Sequence, residues 1–100
     1  MNILIPVDIN SRFEAVISSI EESNYWAYID LDDGQIVNCE FLKYKEDTNC
    51  WIDHIIIINK DDYKEEFKQK EFSVLKTTTQ KSIDEIIEAL LLNKLIKLKP

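Results

Sequence analysis

The sequence predicts an α/β domain in which about five strands form a mixed sheet with helices packed on it. Three observations support this fold class: short apolar runs of strand length, intervening segments with apolar residues at helical spacing, and one Asp-Asp-Gly turn between two of the runs. Strand–helix–strand crossovers place parallel strands side by side, whereas a tight turn joins antiparallel ones, so we expect both arrangements. We assign residues 1–100 to a single domain.

The predicted strands share a high content of isoleucine, leucine, valine and aromatic residues. They cover Asn2–Val7, Asn24–Leu31, Gln35–Leu42, His54–Ile58 and Phe72–Lys76. The first and fourth are apolar without alternation, which is typical of strands that are buried on both faces. Pro6 lacks an amide proton and therefore fits only near the end of the first strand.

The turn at Asp32–Gly34 allows two registers in the predicted hairpin. A two-residue turn pairs Ile29 with Asn38, which puts polar side chains on the buried face. A three-residue loop with a left-handed Gly34 pairs Ile29 with Val37 and gives one apolar face that includes Cys39. Because register follows the apolar pattern, we expect the three-residue loop, with Cys39 as a small buried apolar side chain.

Two helices are predicted between the strands. Residues Arg12–Ile20 carry apolar side chains at helical spacing behind a cap at Asn10 or Ser11. Residues Asp61–Lys70 carry only the thin stripe of Tyr63 and Phe67, so we expect this helix on the flank of the sheet. The polar stretch 44–53 is long enough for one helical turn at most.

The clearest element is a helix that begins with Ser82-Ile83-Asp84-Glu85, a capping box in which the side chains of Ser82 and Glu85 each bond the other's backbone amide. An apolar stripe follows it at helical spacing and must be buried: Ile83, Ile86, Ile87, Leu90, Leu91 and Leu95. We expect the basic tail Lys94–Pro100 to fray in solvent.

Composition excludes several classes of function. Twelve basic and nineteen acidic residues give a net charge of −7, which opposes binding to nucleic acid and to anionic membranes. The longest apolar run, Ile55–Ile58, is far too short to span a bilayer. A single glycine argues against a phosphate-binding loop. The first residues lack the features of a signal peptide, so Cys39 and Cys50 are expected to be free thiols in the cytoplasm.

Ligands in open α/β sheets bind beyond the carboxyl ends of the strands. The polar residues at those positions make up the predicted ligand-binding set: Asp8, Asn10, Ser11, Arg12 and Asn59. Residues 77–79 follow the fifth strand in the same way. The alternative is that these side chains only cap helices and shape turns.

Cys50 and His54 are the candidate metal ligands, because thiolate and imidazole suit zinc, copper and iron, and a helical turn would place them on one face. Two ligands make only half a structural site. The alternative is a partly buried thiol and a histidine at a strand end. The same pair lacks the third group that would orient a nucleophile and its base.

The opening Ile3–Asp8, the Asp-Asp-Gly hairpin turn and the capped helix behind Ser82 resemble the dinitrogenase iron–molybdenum cofactor biosynthesis family, the NifX-like proteins, in the same order along nearly the whole chain. The resemblance implies a ribonuclease-H-like fold. That fold raises a nuclease hypothesis, but Asp8 has no second acid clearly beside it, since Asp30 is predicted to point to the other face.

The resemblance also implies a non-enzymatic accessory protein that carries iron–sulfur or iron–molybdenum clusters. The family's site after the first strand is Ser-His-Phe-Gly, whereas this chain has Ser11-Arg12-Phe13-Glu14. A permanently protonated guanidinium cannot ligate a metal, so Arg12 removes the family's ligand. The alternative expectation is therefore a ligand-free protein-interaction module, for which Trp26 and Tyr28 are a candidate partner surface if no helix covers them.

Overall fold

Six strands form one mixed sheet in the computed structural model, in the order β3-β2-β1-β4-β5-β6. The strands and the single α-helix are β1 Asn2–Val7, β2 Tyr25–Asp32, β3 Gln35–Leu42, β4 His54–Ile57, β5 Ser73–Lys76, α1 Ile83–Leu91 and β6 Ile96–Leu98. The structure describes residues 1–99, apart from the side chains of Lys68 and Gln69. β1 pairs antiparallel with β2 and parallel with β4, so the predicted mixed α/β sheet is confirmed.

The central strands are buried on both faces of the sheet, which explains their unbroken apolar runs. Ile3 and Ile5 of β1 belong to the core on the α1 side, and Leu4 belongs to the core on the opposite side. Trp26 and Tyr28 are buried in that second core, at 6% and 5% exposure. Their alternative assignment to an exposed partner surface was therefore wrong.

The hairpin combines a tight turn with a bulge. Asp33 and Gly34 both have positive φ, 54° and 77°, in a two-residue turn. The register then shifts at Val37, so that Ile29 faces Cys39 instead of Val37 or Asn38. The predicted three-residue loop was wrong, because the extra residue is accommodated inside β3 and not in the turn. Cys39 still packs against the α1-side core, as predicted.

The helix predicted at Arg12–Ile20 does not form. This segment makes one turn and then two isolated β-bridges, between Val7 and Ile17 and between Val16 and Ser82. The spacing of its apolar residues was misleading, since Ala15 and Ile17 are buried while Phe13 is 74% exposed. The backbone amide of Ile17 donates to the carbonyl of Lys81, so tertiary pairing replaces the helical hydrogen bonds.

The helix predicted at Asp61–Lys70 is replaced by two short 3-10 segments, Lys60–Asp62 and Glu65–Gln69. Phe67 packs in the core opposite α1, and Tyr63 packs against it, so the two apolar residues of the predicted stripe contact the core although no α-helix forms. The side chains of Lys68 and Gln69 lie outside the described residues. A further 3-10 turn at Lys45–Asp47 matches the single turn expected in the polar stretch before β4.

Helix α1 begins as predicted. The Ser82 hydroxyl accepts from the Glu85 amide, and the Glu85 carboxylate accepts from the Ser82 amide. Of the predicted stripe, Ile83, Ile86 and Ile87 are buried and Leu90 and Leu95 are partly buried. Leu91 is 48% exposed, so its predicted burial was wrong. No helix within residues 1–99 is long and apolar enough to cross a membrane.

The tail after α1 does not fray. Asn93 has φ 60°, and the amide of Lys94 donates to the Ala89 carbonyl at 2.8 Å, which reverses the chain in a Schellman motif. Ile96–Leu98 then pairs antiparallel with β5 as β6. The prediction missed this sixth strand because three basic side chains obscured the alternation of Ile96 and Leu98. Pro100 lies outside the described residues.

Candidate functional site

The β1 loop, residues 8–16, follows the carboxyl end of β1 and contains four of the predicted ligand-binding residues. The Asp8 carboxylate accepts from the backbone amides of Ile9 and Val16, both at 2.8 Å. The Asn24 side chain donates to the Asp8 carbonyl at 2.8 Å. Asp8 therefore holds the loop closed on itself and ties it to the start of β2.

Asp8 and Asn10 line an open pocket of about 380 Å³ with Asn24, Tyr25 and Lys43. These last three residues were not predicted. They come from the start of β2 and from just beyond β3, and the antiparallel pairing of Val7 with Tyr25 brings that end of the hairpin to the end of β1. The pocket is lined by an ammonium, two amides and a phenol beside the Asp8 carboxylate, which already accepts two backbone hydrogen bonds, so the lining suits a polar ligand that accepts hydrogen bonds.

Arg12 lies on the other side of the β1 loop, against helix α1. Its guanidinium is 3.2 Å from the Asp84 carboxylate and 4.9 Å from the centre of the Phe13 ring. Its Nε is buried and has no hydrogen-bond partner among the described residues. Arg12 is thus held by the first turn of α1 and does not line the pocket beside Asp8.

The remaining predicted positions shape the backbone. The Ser11 carbonyl accepts from the Ala15 amide at 2.8 Å, and the Asn59 carbonyl accepts from the Asp62 amide at 3.2 Å. Asn59 lies at the same end of the sheet as Asp8, because β1 and β4 are parallel neighbours. It is exposed and lies outside the pocket that Asp8 and Asn10 line.

Cys50 and His54 have different surroundings. Cys50 lies in the loop before β4, not on a helical turn, and its thiol is near Tyr28 of the core opposite α1. Burial, and secondarily the nearby thiol, raise the pKa of Tyr28. His54 instead lines a pocket beneath α1 together with Leu90, and burial lowers the pKa of its imidazole. A joint metal site at this pair stays a prediction, and no third ligand joins the two.

Within the described residues, no group of three or more histidine, cysteine and acidic side chains can hold a metal ion. Cys39 packs on the α1 side of the sheet, away from Cys50. Burial raises the pKa of Cys39, the nearby Arg12 lowers it, and the Asp84 and Glu40 carboxylates raise it. Asp30 pairs with Asn2, at the opposite end of β1 from Asp8, so about 20 Å separates the two acids of the nuclease hypothesis.

The chain matches no family model and no curated protein by sequence. It is similar in structure to a protein described as a "putative dinitrogenase" from Methanocaldococcus jannaschii. The crystal structure of that protein has a TM-score of 0.72 at 18% identity and covers 100% of this chain and 97% of that one. The NMR structure of a "putative dinitrogenase" from Methanococcus jannaschii has a TM-score of 0.74 at 20% identity and covers 100% of this chain and 94% of that one.

The NMR structure of a "putative NifB protein" from Thermotoga, assigned there to the DUF35 family, has a TM-score of 0.67 at 16% identity and covers 99% of this chain and 94% of that one. At these identities the likeness establishes a shared fold. The chain therefore has the fold of these dinitrogenase-related and NifB-related proteins over its whole described length.

Proposed function

We propose that this protein is a non-enzymatic accessory protein in the handling of iron–sulfur or iron–molybdenum clusters, built on a ribonuclease-H-like fold. The observation that carries the proposal is the structural likeness to the M. jannaschii and Thermotoga proteins along the whole chain. The order of the sequence features that resemble the NifX-like family supports the proposal independently of the structural likeness.

The β1 loop is the proposed contact surface for the cargo. Asn10 and Lys43, together with the amide of Asn24, border the pocket beside Asp8 and can donate to an anionic cluster surface. The described residues offer no set of three ligands, so this binding would depend on charge and hydrogen bonds. Cys50 is exposed but lies before β4, at the end of the sheet opposite the β1 loop, so a bond from its thiol to iron would belong to a separate contact. Such a site would hold its cargo weakly and release it readily.

A second candidate function is a ligand-free protein-interaction module on the same fold. It is favoured by the exposed apolar side chains of Phe13 and Val16 on the β1 loop, at 74% and 40% exposure. It is also favoured by the Arg12–Asp84 contact, which joins the loop to the first turn of α1.

Anaerobic reconstitution with iron, sulfide and molybdate separates the two functions. After desalting, the carrier should retain metal in a fixed ratio to protein, with visible charge-transfer absorption. Lys43→Glu should reduce retention. Cys50→Ser and His54→Ala test the separate candidate pair before and at the start of β4, and loss of metal in these variants but not in Lys43→Glu would place the metal there instead of at the β1 loop. Lys60→Glu, which makes the same charge change at an exposed position outside the pocket, should leave retention unchanged. Metal content at the level of a desalted blank would reject the carrier.

A further inference from the structure

A second pocket, of about 430 Å³, lies at the end of the sheet opposite the β1 loop. It is formed by the starts of β4 and β5, the middle of β6 and the C-terminal end of α1, and is hereafter called the amino-end pocket. Its volume lies in the range of small-molecule sites in proteins, which is about 300–1,000 Å³. No residue of the proposed cargo site lines it.

Strand register brings its polar side chains to one face of the sheet. His54 of β4 pairs with Ser73 of β5, and Leu75 pairs with Lys97 of β6. Leu75 belongs to the α1-side core. Ser73 is two residues from Leu75 and thus points to the same face of the sheet. His54 pairs with Ser73 and Lys97 pairs with Leu75, so their side chains point to this face too. His54, Ser73 and Lys97 therefore all face the space beneath α1, and all three line the pocket.

The wall on the helix side is apolar. Leu90 from the last turn of α1 and Leu95 from beyond it line the pocket, and both pack against the core. Asn93, with its left-handed backbone, reverses the chain between them and also lines the pocket. The amino-end pocket thus has an apolar side of leucines and a polar side that includes the ammonium groups of Lys97 and of the Met1 N-terminus, an arrangement typical of ligand sites.

We propose that the amino-end pocket binds a small amphipathic carboxylate, with the carboxylate beside Lys97 and an apolar body against Leu75, Leu90 and Leu95. Within residues 1–99, Lys97 makes no ion pair. In a protein of net charge −7, an unpaired ammonium beside an apolar wall favours an anion locally.

His54 supplies a means of detection. Its Nδ1 is buried without a hydrogen-bond partner among the described residues. Burial lowers the pKa of its imidazole, as do the Lys97 and N-terminal charges, whereas the Asp53 carboxylate raises it. A carboxylate in the pocket adds a negative charge near the ring and favours the protonated form. Binding must therefore raise the pKa of His54.

Titration by NMR with octanoate, octan-1-ol and octylamine tests the proposal, because the three probes share a chain and differ in charge. Octanoate should shift the amide signals of Leu75, Leu90 and Leu95 saturably and raise the pKa of the His54 ring. Octan-1-ol should bind at least about tenfold more weakly, which corresponds to about 1.4 kcal/mol. Octylamine should produce no saturable shift at these amides.

Lys97→Glu should weaken octanoate binding by at least about tenfold, equivalent to about 1.4 kcal/mol. The control, Lys60→Glu, makes the same charge change beyond the other end of β4 and should leave binding unchanged. Lys97 is exposed on an edge strand, so its replacement should not unfold the chain.

Three results would overturn the proposal. One is the absence of saturable shifts up to about 10 mM octanoate, where a site with a millimolar dissociation constant would be mostly filled. The others are equal binding of octan-1-ol and equal weakening by the two lysine variants. None of them bears on metal retention at the β1 loop.

Discussion

The guanidinium of Arg12 lies 3.2 Å from the carboxylate of Asp84, a residue 72 positions further along the chain. This contact fastens the β1 loop to the first turn of α1. It acts together with the backbone bridge between Val16 and Ser82, which joins the same two segments. The loop that carries the proposed cargo site is thus positioned by the helix and not only by β1.

The Arg12–Asp84 pair should contribute little to global stability. Its side chains are 37% and 49% exposed, and ion pairs of this kind contribute about 0.2–1 kcal/mol. A double-mutant cycle with Arg12→Ala and Asp84→Ala, measured by urea unfolding, should give a coupling energy in that range. The coupling should shrink further at about 1 M salt, where the screening length is about 3 Å.

Asp84→Ala alone should cost more than Arg12→Ala, because Asp84 also lies in the first turn of α1, where a negative charge is favourable. Amide exchange in the β1 loop should accelerate in both variants. A coupling energy of several kcal/mol would show that the pair behaves as a buried one, contrary to this prediction.

The hairpin turn should depend on Gly34 for conformational reasons alone. Its φ of 77° is unfavourable for residues with a Cβ, and nothing lies within 4 Å of where a Cβ would be. Gly34→Ala should therefore destabilise the protein by about 1–2 kcal/mol without any steric clash. Asp33→Asn, at φ 54°, is the matched control and should leave stability unchanged or slightly higher, since Asn-Gly favours this turn. Thermal unfolding of the two variants checks this, and an unaffected Gly34→Ala protein would contradict it.

The hairpin also shows where sequence patterns are sufficient and where they are not. The positions of β2 and β3 followed from apolar residues and from the turn glycine. The bulge at Val37 could not be predicted from them, because its effect is to restore the apolar face after a turn that would otherwise displace it. Local pattern thus identified the strands, and the packing of Cys39 and Phe41 under α1 selected the register.

The helix predicted in and after the β1 loop was wrong for a related reason. Apolar residues at helical spacing favoured a helix over Arg12–Ile20, but the backbone of Val16 and Ile17 pairs with residues 7, 81 and 82 instead. Such long-range pairing leaves no signal in the local sequence pattern. Asp8 and Asn10 were predicted at the end of β1, whereas Lys43 was missed, because it reaches the pocket only through the antiparallel hairpin.

Asp62 should make stability depend on pH. Its side chain is buried at 5% exposure, and its Oδ2 has no partner among the described residues. Burial raises the pKa of this carboxyl above its ordinary value, and the nearby Ile20 backbone and Lys64 charge oppose the rise. A raised folded-state pKa means that the neutral carboxyl stabilises the fold below the unfolded-state pKa. That contribution is lost as pH rises through the folded-state pKa.

Asp62→Asn removes the buried charge, so the variant should gain stability relative to the wild type as pH rises from 3 to 7. Urea unfolding at several pH values measures the difference. Asp61→Asn is the matched control at an exposed neighbouring position and should show no comparable trend. A difference between wild type and Asp62→Asn that stays constant across this range would contradict the assignment.

The C-terminal end of α1 should depend on Asn93. Its φ of 60° is one that asparagine and glycine tolerate and that β-branched residues do not. Asn93→Gly should therefore keep or raise stability, whereas Asn93→Val should lower it by about 1–2 kcal/mol. The loss should be greatest in β6, because the turn at Asn93 directs Ile96–Leu98 onto β5. Amide exchange should accelerate in β6 of the valine variant before it does in β1. Equal protection of β6 in both variants would show that its pairing with β5 forms independently of the turn.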